Sequence, residues 1–336
     1  MENIFQINDN SIIYVICPAN NKTGGTELLH QLVFQLDRIG HKAYIAYYME
    51  GKYDKNNLTP MEFKKYVRNV CTVSEIEDSK KNIIVFPEVC IGKQRRFRHA
   101  QKCVWWLSVD NYSAMLGRMN RLKKYGILSF LKHMWLNDYS SHKDIQKINV
   151  HLYQSYFAAD FLSQKGIKSK NMYYLSDYIN DIYMNGFSIK DRENIVIYNP
   201  KKGIEFTQKL IEKSPDIQWI PIQNMSNKQV WELMQKAKVY IDFGNHPGKD
   251  RIPRETAMSG CCVITNRTGS AAYEKDLPIK SCYKFDDIEE NVDSIILKIR
   301  ELLNDYEIYI DDFINYRNFI SNEKEKFEND VKDIFN

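Results

Sequence analysis

A polar loop in the second half of the chain has the composition of a ligand-binding site. Seven of the thirteen residues from 243 to 255 are polar or charged, and they directly follow an apolar stretch. Its charged and titratable side chains are His246, Lys249, Asp250, Arg251, Arg254 and Glu255. Loops this polar at the end of a buried strand are more often sites than connectors, and a surface cluster of salt bridges is the alternative.

Two further loops carry residues suited to anion binding. The pair Gly24-Gly25 lets backbone N–H groups approach a phosphate or a sugar closely, and the helix predicted to follow directs its positive end there. Lys201 and Lys202, just before another predicted helix, could pair with a diphosphate. A tight turn without a ligand and a solvated basic turn are the alternatives. Neither loop has the GxGxxG spacing of a dinucleotide-binding fingerprint, which argues against a dehydrogenase.

Alternating strands and helices must position these loops. Continuous apolar runs predict buried strands, and apolar residues repeating at helical spacing predict helices. In the first half we predict a helix that ends before Gly40, and strands at 11–17, 42–48, 82–86 and 103–109. In the second half we predict helices at 204–213, 226–236 and 254–259, alternating with strands at 194–198, 217–222, 238–243 and 261–265. This alternation is typical of βαβ units with parallel sheets and predicts two consecutive αβ domains.

The chain resembles a known family at these elements. The Gly-Gly loop, the Lys202-Gly203 turn and the helix–strand unit Glu-Thr-Ala-Met-Ser-Gly-Cys-Cys-Val-Ile-Thr from Glu255 are similar to those of retaining GT-B glycosyltransferases. Bacterial polysaccharide enzymes of the capsule or O-antigen type are the closest likeness. The resemblance covers most of the chain and is strongest at 194–272.

The resemblance implies a domain arrangement. We expect an α/β protein of GT-B class, with two Rossmann-like αβ domains facing across a cleft. Residues 1–178 would bind the acceptor and residues 179–317 the nucleotide sugar, and a C-terminal helix at about 318–336 would pack back on the first domain.

The resemblance also implies roles for individual residues. Glu255 matches the second glutamate of an E-x7-E motif, which binds the donor ribose. The first glutamate is replaced by Pro247, so His246 or Asp250 would contact the donor sugar. Asp110, at the end of the fourth predicted strand, would face the cleft beside the sugars, or it could cap the next segment. The implied donor-binding set is Gly24, Gly25, Lys201, Lys202, Arg251, Arg254, Glu255, Gly269 and Ser270.

The chemistry of glycosyl transfer agrees with these roles. Transfer from a nucleotide diphosphate sugar builds negative charge on the leaving phosphates, which fixed cations and helix N-termini stabilise. Lys202 matches the family's lysine, and Lys201, Arg251 or Arg254 would supply the second cation because the family's upstream arginine is missing. Without an Asp-x-Asp element we expect no metal and no cofactor besides the nucleotide sugar co-substrate.

The net charge of +4 hides a basic region between residues 92 and 133. The segment 116–135 has an amphipathic helical pattern with a basic face, which suits an anionic membrane surface carrying lipid-linked acceptors. An ordinary surface helix is the alternative, and the absence of a recognisable binding module argues against nucleic acid. The predicted membrane and acceptor patch comprises Arg95, Arg96, Arg98, Arg118, Arg121, Lys123, Lys124 and Trp135.

Composition predicts a cytoplasmic location. The seven cysteines form no CxxC pair, which favours reduced thiols, and no apolar stretch approaches the roughly 20 residues of a membrane span. We also expect a peripheral position on the inner face of the membrane. The predicted activity is hexosyl transfer from a nucleotide diphosphate sugar to a glycan or lipid-linked acceptor. A nucleotide-sugar epimerase of the same fold and a non-catalytic nucleotide-sugar-binding partner are the alternatives.

Overall fold

The computed structural model describes residues 4–49, 57–116, 122, 126–127 and 140–336. The chain divides into two compact units. The first comprises Met1–Asp177 with Glu325–Asn336, and the second comprises Tyr178–Lys324. Each unit is built on one parallel sheet with its own buried core.

The first unit contains a seven-stranded parallel sheet. Its apolar strands are buried on both faces, as continuous Val/Ile-rich runs predict. The strands are β1 Ile12–Pro18, β2 Lys42–Tyr48, β3 Val70–Thr72, β4 Ile83–Pro87, β5 Gln101–Trp106, β6 Val150–Tyr153 and β7 Met172–Tyr174, in the order β3-β2-β1-β4-β5-β6-β7. The described α-helices that lie wholly in this unit are α1 Gly24–Arg38, α2 Val109–Met115, α3 His142–Ile145 and α4 Tyr156–Gln164.

The second unit contains a five-stranded parallel sheet in the order β12-β11-β10-β8-β9. The strands are β8 Glu193–Tyr198, β9 Gln218–Pro221, β10 Ala237–Asp242, β11 Cys262–Asn266 and β12 Lys284–Phe285. The α-helices are α5 Ile204–Lys213, α6 Asn227–Lys236, α7 Arg251–Met258, α8 Val292–Asn304, α9 Tyr306–Tyr309 and α10 Ile314–Ser321. A last helix, α11 Glu323–Phe335, begins in this unit and continues in the first.

Each sheet has a point where the strand order reverses. In the first unit it lies between β1 and β4, and in the second between β8 and β10. Ligands of open parallel sheets bind at the carboxyl ends of the strands on either side of such a point, because the loops there diverge and leave a crevice. The loop with Gly24 follows β1, Lys202 follows β8, and the polar loop 243–250 follows β10.

The structure confirms the predicted α/β class and corrects several boundaries. Helix α5 spans 204–213 as predicted, and Ser226 is the N-cap of α6. The predicted strand 103–109 ends at Trp106, because the Ser108 side chain accepts a hydrogen bond from the Asn111 N–H and starts α2. Helix α7 begins at Arg251 rather than at residue 254. The sequence analysis did not predict the short strands β3, β6, β7 and β12.

The predicted basic helix at 116–135 lies outside the described residues, apart from 116, 122 and 126–127. Across the ranges that the structure describes, no helix combines the length and the apolar composition needed to cross a membrane. Each cysteine is a free thiol, and five of the seven are buried.

Candidate active site

The turn after β8 lies directly on the turn after β10, and two glycines make this contact possible. A Cβ on Gly203 would lie 2.1 Å from the Phe243 carbonyl oxygen, and Gly203 has φ +57°. A Cβ on Gly244 would lie 2.3 Å from Cβ of Lys202. Because both turns must lack a side chain at the contact, the lysine and the polar loop are brought together where the strand order reverses.

Lys202, Asp250 and His246 form a chain of charged contacts between these turns. The Lys202 ammonium Nζ lies 2.6 Å from Oδ2 of Asp250. The His246 Nδ1 lies 2.8 Å from the same oxygen. One carboxylate oxygen therefore holds a lysine from one loop and an imidazole from the other.

Asp242, the last residue of β10, continues this chain into the core. Its Oδ2 accepts a hydrogen bond from the Tyr240 hydroxyl at 2.8 Å, and its Oδ1 accepts one from the Gly244 N–H at 3.2 Å. His246 Nε2 lies 3.9 Å from Asp242 Oδ1. Side-chain exposure rises outward, from 2% for His246 to 19% for Asp250 and 28% for Lys202. Lys202 is therefore the member that faces solvent most.

The electrostatics of the cluster favour charged side chains. Burial by itself lowers the pKa of His246, but the hydrogen bond that His246 donates to Asp250 and the charges of Asp242 and Asp250 outweigh it, so that pKa is raised above 6.5. Burial by itself raises the pKa of Asp250, but the hydrogen bond that it accepts from His246 and the charge of Lys202 hold that pKa below its usual value. The two carboxylates therefore favour the protonated form of the His246 imidazole.

The same cluster has the composition of a metal site within the described part of the chain. Ligand atoms of Asp242, His246 and Asp250 lie within 4.8 Å of one another. The Lys202 ammonium already occupies the Asp250 oxygen that a cation would need, and Tyr240 and Gly244 already donate to Asp242. We therefore treat these residues as a hydrogen-bonded charge cluster and assign no metal to them.

Two helix N-termini meet at the Lys202–Asp250 pair. Gly203 is the N-cap of α5 and Asp250 is the N-cap of α7. Among the described residues, neither N-cap offers a side chain to the first N–H groups of its helix. Helix N-termini with uncapped N–H groups attract anions, so this position has the donors and the positive potential that a phosphate needs.

Arg251 and Arg254, which the sequence did not distinguish, have different surroundings on helix α7. Arg251 lies beside Glu255, with 3.4 Å between Nε and Oε1. Arg254 is only 1% exposed, and its three nitrogens contact Glu323 Oε2, the Lys249 carbonyl and the Asp250 carbonyl at 2.7, 2.9 and 3.1 Å. A guanidinium that is buried and engaged in this way supports the loop, and Arg251 is the more accessible of the two predicted cations.

Gly269 and Ser270, after β11, also support the loop. The Ser270 N–H donates to the His246 carbonyl at 2.8 Å, and the Ser270 hydroxyl donates to the Gly248 carbonyl at 2.6 Å. A Cβ on Gly269 would lie 2.0 Å from the His246 carbonyl oxygen. Ser270 is buried, so its hydroxyl holds the loop in place rather than offering a contact to a donor.

The remaining predicted residues of the second unit differ in exposure. Lys201 is exposed, and its N–H donates to Asn199 Oδ1. Glu255 is half-buried on α7.

The sequence missed Asp242 and Glu323, because an acid at a strand end and an acid in a charged C-terminal helix gave no distinctive pattern.

In the first unit, Gly24 and Gly25 begin α1, and Thr23 caps this helix through the Thr26 N–H. A Cβ on Gly25 would make only an ordinary contact with Leu107, at 3.7 Å. Asp110 is half-buried in the first turn of α2. Because Ser108 is the N-cap of α2, the alternative that Asp110 caps it is wrong.

A buried acid at the end of β4 was also missed by the sequence analysis. Glu88 is 2% exposed, and its Oε2 accepts the Leu107 N–H at 3.1 Å. Burial raises the pKa of Glu88 to about 8. No cationic side chain in the described ranges contacts it, so the carboxyl is protonated at neutral pH. An acid directly after the strand-ending Pro87 was the signal available in the sequence.

Part of the predicted basic patch is described by the structure. Arg95 is paired with the buried Asp144, and the N–H of the exposed Arg98 donates to Asp78. Arg96 is exposed and has interactions of its own. The other members lie outside the described residues, namely Arg118, Arg121, Lys123, Lys124 and Trp135.

Comparison with known proteins rests on structure. No protein-family model matches the chain, and no curated protein matches it. Anabaena HepE in complex with UDP-glucose superposes with a TM-score of 0.63 at 10% identity, covering 96% of this chain and 98% of that one. The lipopolysaccharide outer core galactosyltransferase WaaB superposes with a TM-score of 0.61 at 10% identity, covering 96% and 97%. This chain has the GT-B fold.

S. aureus TarM in complex with UDP also matches, with a TM-score of 0.54 at 14% identity. The match covers 78% of this chain and 56% of TarM, so the chain spans little more than half the length of that relative. At these identities the likeness concerns the fold, and the GT-B prediction from the sequence is confirmed at that level.

Proposed function

We propose that this protein is a glycosyltransferase that moves a sugar from a nucleotide diphosphate sugar to a glycan or lipid-linked acceptor. The observation that supports it best is Lys202 at the reversal point of the second sheet, flanked by the N-termini of α5 and α7. The GT-B fold supports the same activity, because HepE is solved with UDP-glucose and TarM with UDP.

The diphosphate would lie against Lys202 and the first turns of the two helices. Arg251 begins α7 next to this position and is our candidate for the second cation, since Arg254 is buried in the loop. Glu255, one turn further along α7, would accept hydrogen bonds from the donor ribose. Lys202, Arg251 and the two helix N-termini would act on the charge that develops on the leaving phosphate, which is where fixed cations lower the barrier most.

The reaction breaks the bond between the anomeric carbon and the diphosphate oxygen and forms a bond from that carbon to an acceptor oxygen. The proton of the acceptor hydroxyl passes to the leaving phosphate. We propose that the anomeric configuration is retained and that no metal takes part. Lys202 and Arg251 would then supply the positive charge that a metal supplies in other transferases.

The acceptor and its location are further parts of the proposal. A role in cell-surface polysaccharide synthesis follows from the sequence resemblance, and WaaB is a lipopolysaccharide galactosyltransferase of the same fold. We propose a cytoplasmic enzyme that meets lipid-linked acceptors at the inner face of the membrane. Asp110 and the loop Gly24-Gly25 of the first unit are our candidates for contacts with the sugars.

The test is a thermal-shift panel of UDP, GDP, CMP and dTDP, with NAD as a control. A ligand at about 100 times its dissociation constant adds roughly 2.7 kcal/mol of stability, which shifts the melting temperature by a few degrees. We expect one nucleoside diphosphate to shift it, Lys202→Met and Glu255→Ala to remove the shift, and Lys228→Met to keep it. Lys228 is a suitable control because its side chain is 81% exposed on α6.

The sugar nucleotide of the base found in this way is then incubated with an acceptor extract. A new glycoside whose anomeric proton matches the donor in NMR supports retaining transfer. A shift with NAD alone would refute the proposal. Conversion of the nucleotide sugar to its epimer would identify an epimerase instead, and nucleotide binding without any product would favour the non-catalytic partner, for which Pro247 is the hint.

A further inference from the structure

Lys202 has a long, flexible side chain, yet its ammonium is held at one place by the loop after β10. We propose that Asp250 and His246 are positioning residues, which hold the Lys202 ammonium where a diphosphate binds. When the diphosphate attracts Lys202, His246 remains as the counter-ion of Asp250. This inference rests on the proposed function, because it takes the diphosphate at Lys202 as given.

The shared oxygen of Asp250 carries the argument. Lys202 Nζ and His246 Nδ1 contact the same Oδ2, at 2.6 and 2.8 Å. A phosphate that draws the ammonium toward itself weakens the first of these contacts. A carboxylate left in a largely buried position without a cation is costly, so the second contact must hold the charge of Asp250.

The histidine itself is fixed from the opposite side. Its Nε2 faces Asp242, at 3.4 Å from the carbonyl oxygen and 3.9 Å from Oδ1. The Ser270 N–H binds the His246 carbonyl, so the backbone of the loop is held independently of the ring. The ring thus connects Asp242, at the end of β10, with Asp250 and through it with Lys202.

Charge balance makes the arrangement depend on the proton of His246. The titratable groups that face the ring are Asp242 and, through it, Tyr240 from β10, Asp250 from the loop, and Lys202 from the turn after β8. With His246 protonated, the two carboxylates are balanced by two cations. With His246 neutral, the cluster carries one net negative charge and repels a diphosphate. Protonation and diphosphate binding therefore favour each other.

The experiment is a calorimetric titration with UDP-glucose from about pH 6 to about pH 9. Each phosphorus of UDP-glucose carries one ester bond, one anhydride bond and a single strongly acidic oxygen, so the ligand keeps its phosphate charge over this range. We expect the affinity of the natural protein to fall about tenfold as His246 loses its proton, which is the size of a unit-charge effect in a half-buried site. His246→Asn should remove this pH dependence, whereas Asp250→Asn deletes one of the two carboxylates that hold the proton on His246 and should shift the dependence to lower pH.

The matched control is His99→Asn, since His99 is an exposed histidine of the first unit and should keep the natural profile. Melting temperatures of each variant show whether it is folded, and a purely structural role would lower them without changing the pH slope. An equal slope in His246→Asn and the natural protein, or no slope in either, overturns the inference.

If UDP-glucose fails to bind, the titration uses the sugar nucleotide of the base that shifted the melting temperature. If no nucleotide of the panel binds, the proposed function fails instead.

Discussion

Glu88→Gln tests whether a carboxylic acid is kept neutral inside the first unit. In the folded protein the pKa of Glu88 is about 8, against an ordinary value of 4.5, because burial disfavours the carboxylate. The folded chain therefore holds this proton over a pH range in which the unfolded chain releases it. Stability contributed by Glu88 is present below pH 4.5 and is lost progressively as the pH rises toward 8.

The magnitude follows from the shift. Each pH unit between these two pKa values changes the free energy of unfolding by about 1.4 kcal/mol, which amounts to roughly 3 kcal/mol by pH 7 as an upper bound. Glutamine keeps an oxygen that can accept the Leu107 N–H but has no proton to lose. We therefore expect Glu88→Gln to gain stability relative to the natural protein as the pH rises from 5 to 8.

The assay is urea unfolding at pH 5, 6, 7 and 8, followed by tryptophan fluorescence. Trp105 and Trp106 on β5 are fully buried and report on the first unit. Glu77→Gln is the control, because Glu77 is exposed and its replacement should change stability by less than about 0.5 kcal/mol. A difference between Glu88→Gln and the natural protein that is the same at every pH would refute the reasoning.

Two further predictions concern the second unit. Gly203→Ala places a Cβ at 2.1 Å from the Phe243 carbonyl oxygen and should lower the free energy of unfolding by about 3 kcal/mol or more. Gly186→Ala is the control, because Gly186 has a similar φ of +76° with no atom within 4 Å, and it should lower that free energy by only about 1–2 kcal/mol. Equal losses in urea unfolding would contradict the close contact at Gly203. Glu323→Gln leaves the buried cations Lys249 and Arg254 without their carboxylate and should lower the free energy of unfolding by about 3–5 kcal/mol. Glu325→Gln, at an exposed position of the same helix, should leave stability nearly unchanged in thermal unfolding. A neutral Glu323→Gln would show that the ion pairs add no stability.

Much of the fold could be predicted because its signals are local. Apolar runs and helical spacing predicted the alternation of strands and helices, and α5 was predicted to the residue. The turn with Gly203 was recognised as a helix start, and it lies beside Lys202 where the strand order reverses. Such patterns depend on neighbours within a few positions, so one sequence is enough to read them.

The sequence by itself determined the αβ architecture and the loops in which a site could lie, while only the tertiary structure decided what each charged side chain does there. Arg251 and Arg254 are three residues apart and looked equivalent, but Arg254 is buried against Glu323, which is 69 positions away. Asp250 meets Lys202 across 48 positions. Burial and long-range pairing set the charge and the accessibility of these groups, and neither leaves a pattern in the local sequence.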